Sequence, residues 1–196
     1  MILGGYQPLS LCDFPQTPSA VLFSQGCNWR CSYCHNKELI PRSPQSPTLD
    51  FTSVLKTLKR RAALLRGVVF TGGEPTLHKD LPSCIASVKK LGLPVKLDSN
   101  GSQPAVLETL VRQGLVDYIA MDIKAPLCKY EQITGCPVDL DDIKESINLI
   151  ATSGIAHQFR TTWPKELLCR ADIDEIQTFL PKASDYVLQK CRQPEQ

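Results

Sequence analysis

The chain has 196 residues, of which 42% are hydrophobic and 21% charged. This excludes a disordered tail and fits a single domain over 1–196 whose core needs no disulfide staples. Lys plus Arg number 22 against 20 Asp plus Glu, a formal charge of +2. Nucleic acid is therefore not an expected partner, and Lys59, Arg60 and Arg61 read as a solvated helix face. No apolar run of about 18 residues and no basic leader with an apolar stretch is present, so neither a membrane span nor a signal peptide is expected. Nine cysteines, an odd number, argue for reduced thiols or metal ligands in a cytoplasmic protein.

From residue 19 to residue 190, short apolar, β-branched runs alternate with stretches of helical periodicity. The first strand is expected over Ala20–Ser24. A helix follows, with Asp50 as its N-cap, Val54, Leu58, Ala62 and Leu65 on its buried face and Gly67 as its terminal glycine. Strands are then expected over Gly67–Thr71, Pro94–Asp98, Asp117–Asp122, His157–Thr161 and Asp185–Gln189. The helices between them end at Gly92, at Gly114, at Gly154 and before Pro181. Pro41–Pro47 reads as a loop. Six strands and five helices with right-handed crossovers give an α/β fold, either a doubly wound open sheet or a partial (β/α)6 barrel. A closed eight-stranded barrel would need about 250 residues. In both architectures the chemistry gathers at the carboxyl ends of the strands.

After the first strand, Cys27, Cys31 and Cys34 stand at C-x3-C-x2-C spacing on one short loop. Three thiolates can converge on one centre, whereas structural zinc and fully ligated iron–sulfur sites want a fourth donor. His35 could supply it only by straining a tetrahedron, so a non-catalytic zinc protein is the weaker alternative. Cys12, Cys84, Cys128, Cys136, Cys169 and Cys191 show no paired spacing and are expected to be buried, inert thiols. His78 and His157 are expected to be surface or satisfied core histidines. After the second strand comes Gly72-Gly73-Glu74-Pro75, whose glycines let backbone approach a ligand closely. Asp98-Ser99-Asn100-Gly101 and Asp122-Ile123-Lys124 end the third and fourth strands, placing two acids and a lysine where a zwitterion could be received. Arg160 ends the fifth strand, as a ligand contact or a structural ion pair, and Gln189 ends the sixth, a core strand with one polar end.

The cysteine loop, followed in order by Gly72–Pro75, resembles the radical S-adenosylmethionine (SAM) superfamily. The Asp13-Phe14-Pro15 opening and the Cys34-His35-Asn36 ending are similar to those of anaerobic ribonucleoside-triphosphate reductase activating proteins and their pyruvate formate-lyase activase relatives. The resemblance implies a partial (β/α)6 barrel and a [4Fe–4S] cluster on Cys27, Cys31 and Cys34. It also implies SAM held near Tyr33, His35, Gly72, Gly73, Glu74, Asp98, Asn100, Asp122, Lys124 and Arg160. A monovalent cation is implied beside Asp98 and Asp122, with Ser99 and the Ala120 carbonyl as further ligands. The implied reaction is reductive cleavage of SAM to a 5′-deoxyadenosyl radical, which makes a glycyl radical on a partner enzyme, anaerobic ribonucleotide reductase. A low-potential donor such as flavodoxin or ferredoxin supplies the electron. The alternative within the superfamily is a small-molecule enzyme such as a 7-carboxy-7-deazaguanine synthase. With no cysteine between Cys34 and Gly72, a single cluster is expected.

Overall fold

The computed structural model describes residues 1–43 and 47–191. All its strands join one sheet. Strand β1 (Ile2–Ser10) and strand β2 (Ser19–Ser24) form an antiparallel pair, and β3 (Leu49–Asp50) lies antiparallel on the other side of β1. Next come α1 (Phe51–Arg61), β4 (Gly67–Gly72), α2 (Leu81–Lys89), β5 (Val95–Ser99), α3 (Pro104–Arg112) and β6 (Tyr118–Asp122). The chain continues through α4 (Tyr130–Thr134), α5 (Leu140–Thr152), β7 (Ala156–Trp163), α6 (Arg170–Phe179) and β8 (Asp185–Lys190).

The sheet order is β3-β1-β2-β4-β5-β6-β7-β8, and the six strands from β2 onward are parallel neighbours in chain order. A doubly wound sheet would reverse strand order at a switch point, and these six parallel strands never do. The architecture is therefore an α/β partial barrel of six parallel strands, extended at one edge by an antiparallel pair.

Side-chain alternation divides the sheet into two faces. Leu22, Phe70, Leu97, Ile119 and Phe159 are fully buried on the outer face, in one cluster with helix residues Leu58, Ile85, Leu107, Ile147 and Ile176. The inner face begins with a small separate cluster, in which Phe14 packs on Val21 and Val69, with Tyr118 at a ring distance of 5.9 Å. Phe14 thus plugs the amino-terminal end of the half-barrel, and above it the inner face turns polar.

The six parallel strands lie where periodicity places them, while two further strands do not announce themselves in the sequence. In β1, Gly4, Gly5 and Pro8 leave no run of β-branched residues, and two register shifts against β2 spoil its alternation. The helix from Asp50 begins as expected, with the Asp50 carboxylate accepting the Ser53 N–H at 3.2 Å. It ends early, at Arg61, and a 3-10 turn over Ala62–Leu64 follows. Gly67 is no helix cap. It opens β4, where an added Cβ would come within 2.9 Å of Phe14 and Thr17. Helix α4 was also unforeseen, being a single turn too short for a periodic signal. Strand β8 is half-exposed rather than a core strand. Of the loop expected over Pro41–Pro47, residues 44–46 lie outside the described residues. Among the described residues, no helix is long and apolar enough to cross a membrane.

If Phe14 seals the barrel floor, Phe14→Ala should lower the unfolding free energy by about 3 kcal/mol or more. Urea unfolding should show this as a lower midpoint with an unchanged slope.

Candidate active site

The cysteine loop is clamped at both ends by backbone hydrogen bonds. Gly26 N–H donates to the Leu39 carbonyl at 2.7 Å, Cys27 N–H to Ile40 at 3.0 Å, and Arg30 N–H to Thr134 at the end of α4 at 2.7 Å. Trp29 is buried and meets Tyr130 edge-on at 5.9 Å. The Gln25 amide donates to the carbonyls of Glu38 and Pro41, at 3.0 and 2.7 Å. Cys27, Cys31 and Cys34 are all half-buried and line one cavity of about 1030 Å³. Burial pushes the Cys27 thiol up to about 11 and raises that of Cys31 as well. Thiols that are costly to ionise alone fit a centre whose own positive charge displaces their protons. Among the described residues, no three His, Cys, Asp or Glu side chains close on a single-ion point.

Gly72 and Gly73 belong to the neighbouring strand end. Their bareness, expected to serve a ligand, has a further use. Gly73 N–H donates to the Ser24 carbonyl at 2.9 Å and Glu74 N–H to the Gly26 carbonyl at 2.8 Å. Gly72 has φ +114°, and a Cβ there would collide with the Ser24 backbone; one on Gly73 would collide with the Gly26 carbonyl. The glycines let two loops meet backbone to backbone, which seats the cysteine loop on the sheet.

Glu74 extends this joint. Its carboxylate is 1% exposed and accepts Thr76 N–H at 3.1 Å, Ser99 Oγ–H at 2.9 Å and Asn100 N–H at 2.7 Å. Burial raises its pKa despite these donors. Asn100 donates from its amide to Asn28 Oδ1 at 2.9 Å, and Asn28 donates to Ser102 Oγ at 2.9 Å. A polar chain thus links the glycine turn, the end of β5 and the cysteine loop. Both Glu74 oxygens are committed within it.

On the inner face, Asp122 accepts Arg160 Nε–H at 2.8 Å and Lys124 Nζ–H at 3.1 Å. Asp98 is paired with Lys96 and, at 3.4 Å, with Arg160 Nη1. Burial opposes ionisation of Asp122, but Arg160 and Lys124 outweigh it and hold the carboxyl well below the usual carboxylate range. Burial likewise opposes the Lys124 charge, and Asp122 above all reverses the effect and raises it. The aspartate pair expected beside a monovalent cation is met here by three side-chain cations. Arg160 is both an ion-pair partner and a lining residue.

Apart from Ala120, which is fully buried, the site residues expected from sequence line this one cavity. Tyr33 presents a buried phenol oxygen without a hydrogen-bond partner. Asp13, Trp29, Asn36, Thr162, Lys190 and Cys191 join them unforeseen; none carries a motif of its own, though Asp13 and Asn36 lie within stretches that carry the family resemblance. Gln189 also reaches the cavity. Cys84 is a buried thiol as expected, but Cys136 and Cys191 are only half-buried, and Cys12, Cys128 and Cys169 are exposed. His78 is satisfied by the Gln25 carbonyl at 2.9 Å, and His157 by the Ile155 carbonyl and Ser184 Oγ.

A family model described as the Radical SAM superfamily matches residues 21–173. The chain belongs to that superfamily. Its cofactors are accordingly a [4Fe–4S] cluster and SAM. This radical SAM enzyme is 33% identical over 194 residues to a Methanocaldococcus jannaschii protein whose name marks it provisionally as a glycyl-radical enzyme activating enzyme. That match covers 96% of this chain and 79% of the relative. It is 32% identical over 146 residues to a 7-carboxy-7-deazaguanine synthase of Geobacter sulfurreducens, covering 65% and 56% of the two chains. The crystal structure of Streptococcus suis SuiB bound to S-adenosylmethionine shares the fold, with a TM-score of 0.71 at 16% identity over 89% of this chain and 40% of that one.

Two outcomes are expected. Gly73→Ala should force the two loops apart, lowering iron and sulfide content after anaerobic reconstitution while far-ultraviolet circular dichroism stays unchanged. Because the folded pKa of Asp122 lies well below its ordinary 3.8, its ion pairs contribute fully above that pH, and the contribution is lost as pH falls from there through the depressed folded value. Acid titration of Asp122→Asn should start from lower stability and lose less of it between about pH 5 and 2.

Proposed function

We propose that this enzyme activates a glycyl radical enzyme, with residues 1–196 acting as one radical SAM domain in the cytoplasm. In this reading Cys27, Cys31 and Cys34 hold the cluster. When bound, cluster and SAM together supply methionine and a 5′-deoxyadenosyl radical, whose target is the α-hydrogen of a glycine in the partner. The partner would be an anaerobic ribonucleotide reductase, and flavodoxin or ferredoxin the electron donor.

The chain's own residues have separable tasks here. Lys124 offers its ammonium to the SAM carboxylate. The edge of Gly72–Gly73, with Tyr33, His35 and Asn100, borders the remainder of the ligand. Asp98, Asp122 and Arg160 orient the charged end, and Glu74 braces the turn that carries the glycines. Trp29, packed on Tyr130, keeps the loop rigid and water out from behind it.

The observation that carries the reading is convergence: three thiols, a bare glycine edge and an acid–lysine set face one large cavity at adjacent strand ends. The glycyl-radical assignment is supported by the relative matched over 96% of this chain. The similarity to a deazaguanine synthase favours a second reading, a small-molecule substrate in the same cavity.

Anaerobically reconstituted protein with SAM and dithionite should release 5′-deoxyadenosine. Cys27→Ala, Cys31→Ala and Cys34→Ala should each reduce that release to background, whereas Cys128→Ala, at an exposed thiol, should not. Equal loss in all four would refute the ligand assignment. Adding an anaerobic ribonucleotide reductase should generate a glycyl radical signal in electron paramagnetic resonance. Turnover of a carboxylated pterin with no such signal would decide for the second reading.

A further inference from the structure

Lys96 is 1% exposed, yet it lies on the inner face of β5, between Val69 of β4 and Tyr118 of β6 in the strand register. Its neighbours at this level are apolar, with Phe14 below. A lysine ammonium here is costly unless it is paired. Its partner is Asp98, two residues further along the same face. Lys96 therefore reaches Asp98 from inside the sheet, while the cavity lies on the other side of the carboxylate.

The charges around the pair can be followed oxygen by oxygen. Lys96 takes Asp98 Oδ1, and Arg160 Nη1 faces Oδ2 at 3.4 Å. Arg160 Nε takes Asp122 Oδ1 at 2.8 Å, and Lys124 Nζ takes Oδ2 at 3.1 Å. Side-chain exposures are 16% for Lys124 and 2% for Lys96. Only the first has access to a ligand. If Lys124 turns to a carboxylate in the cavity, Lys96 and Arg160 still balance the two aspartates. No negative excess is then left to draw in a free ion.

We propose that the Lys96 ammonium is a built-in monovalent cation, which neutralises Asp98 from beneath so that the site receives SAM without a free potassium or sodium ion. This rests on the reading that Asp98, Asp122 and Lys124 receive the amino-acid end of SAM.

The test is equilibrium dialysis of radiolabelled SAM against the anaerobically reconstituted enzyme, without reductant, in potassium, sodium or tetramethylammonium chloride at equal ionic strength. The Kd should agree within about twofold across the three salts. In Lys96→Met and Lys96→Gln, Kd in tetramethylammonium should rise by about tenfold or more, and potassium should restore most of the loss. A purely structural lysine would weaken binding alike in every salt, and that result overturns the proposal. So does a potassium-dependent Kd in the unsubstituted enzyme, an arm that needs no variant to fold. Absence of SAM binding in all three salts would instead overturn the site reading beneath it, and the proposal with it.

Discussion

The meeting of two backbones at the carboxyl ends of β2 and β4 governs this molecule. Ser24 and Gly26 accept hydrogen bonds from Gly73 and Glu74, and at this separation there is no room for a Cβ on Gly72 or Gly73. The cysteine loop starts at that joint. Its position over the strand ends follows from a close approach within the protein, before any ligand is considered. The same joint hands Glu74 into the interior, where its buried carboxylate gathers donors from Thr76, Ser99 and Asn100. A buried carboxylate with one missing donor would be expensive, so the three segments move as a unit or not at all.

Charge on the inner face follows a second rule. In this half-barrel the floor, around Phe14, is apolar. Above it the strands carry Asp98, Asp122, Lys96 and Arg160. These groups tolerate partial burial because each meets an opposite charge. The result is a rigid, polar wall facing three thiols across one cavity, an arrangement suited to a charged ligand placed between metal and carboxylates.

Much of the fold was legible because the central parallel strands are buried on both faces over most of their length and so read as compact apolar runs. The run Gly67–Thr71 and the observed β4 differ by one residue. What escaped was non-local or too short for a period to show. Strand β1 contains glycines, a proline and register shifts, and is a strand only because β2 and β3 flank it. Helix α4 has a single turn, and it matters because its last carbonyl holds Arg30. Gly67 looked like a helix cap, but its lack of a side chain answers to Phe14 and Thr17, residues some fifty positions earlier that no local pattern could connect to it.

The sequence by itself determined the order of the six parallel strands and the five longer helices between them, and the chemistry at each of those strand ends, because spacing along a strand–loop–helix unit dictates which side chains can share an end of the sheet. Only the tertiary structure decided what each of those side chains has left to offer. Glu74 is consumed in bracing a turn, Lys96 is turned toward Asp98 from within the sheet, and Arg160 spans two aspartates that are 24 residues apart. Such commitments depend on distances between separate strands, and hydrogen-bond and ion-pair energies fall away too steeply with distance for a linear pattern to record them.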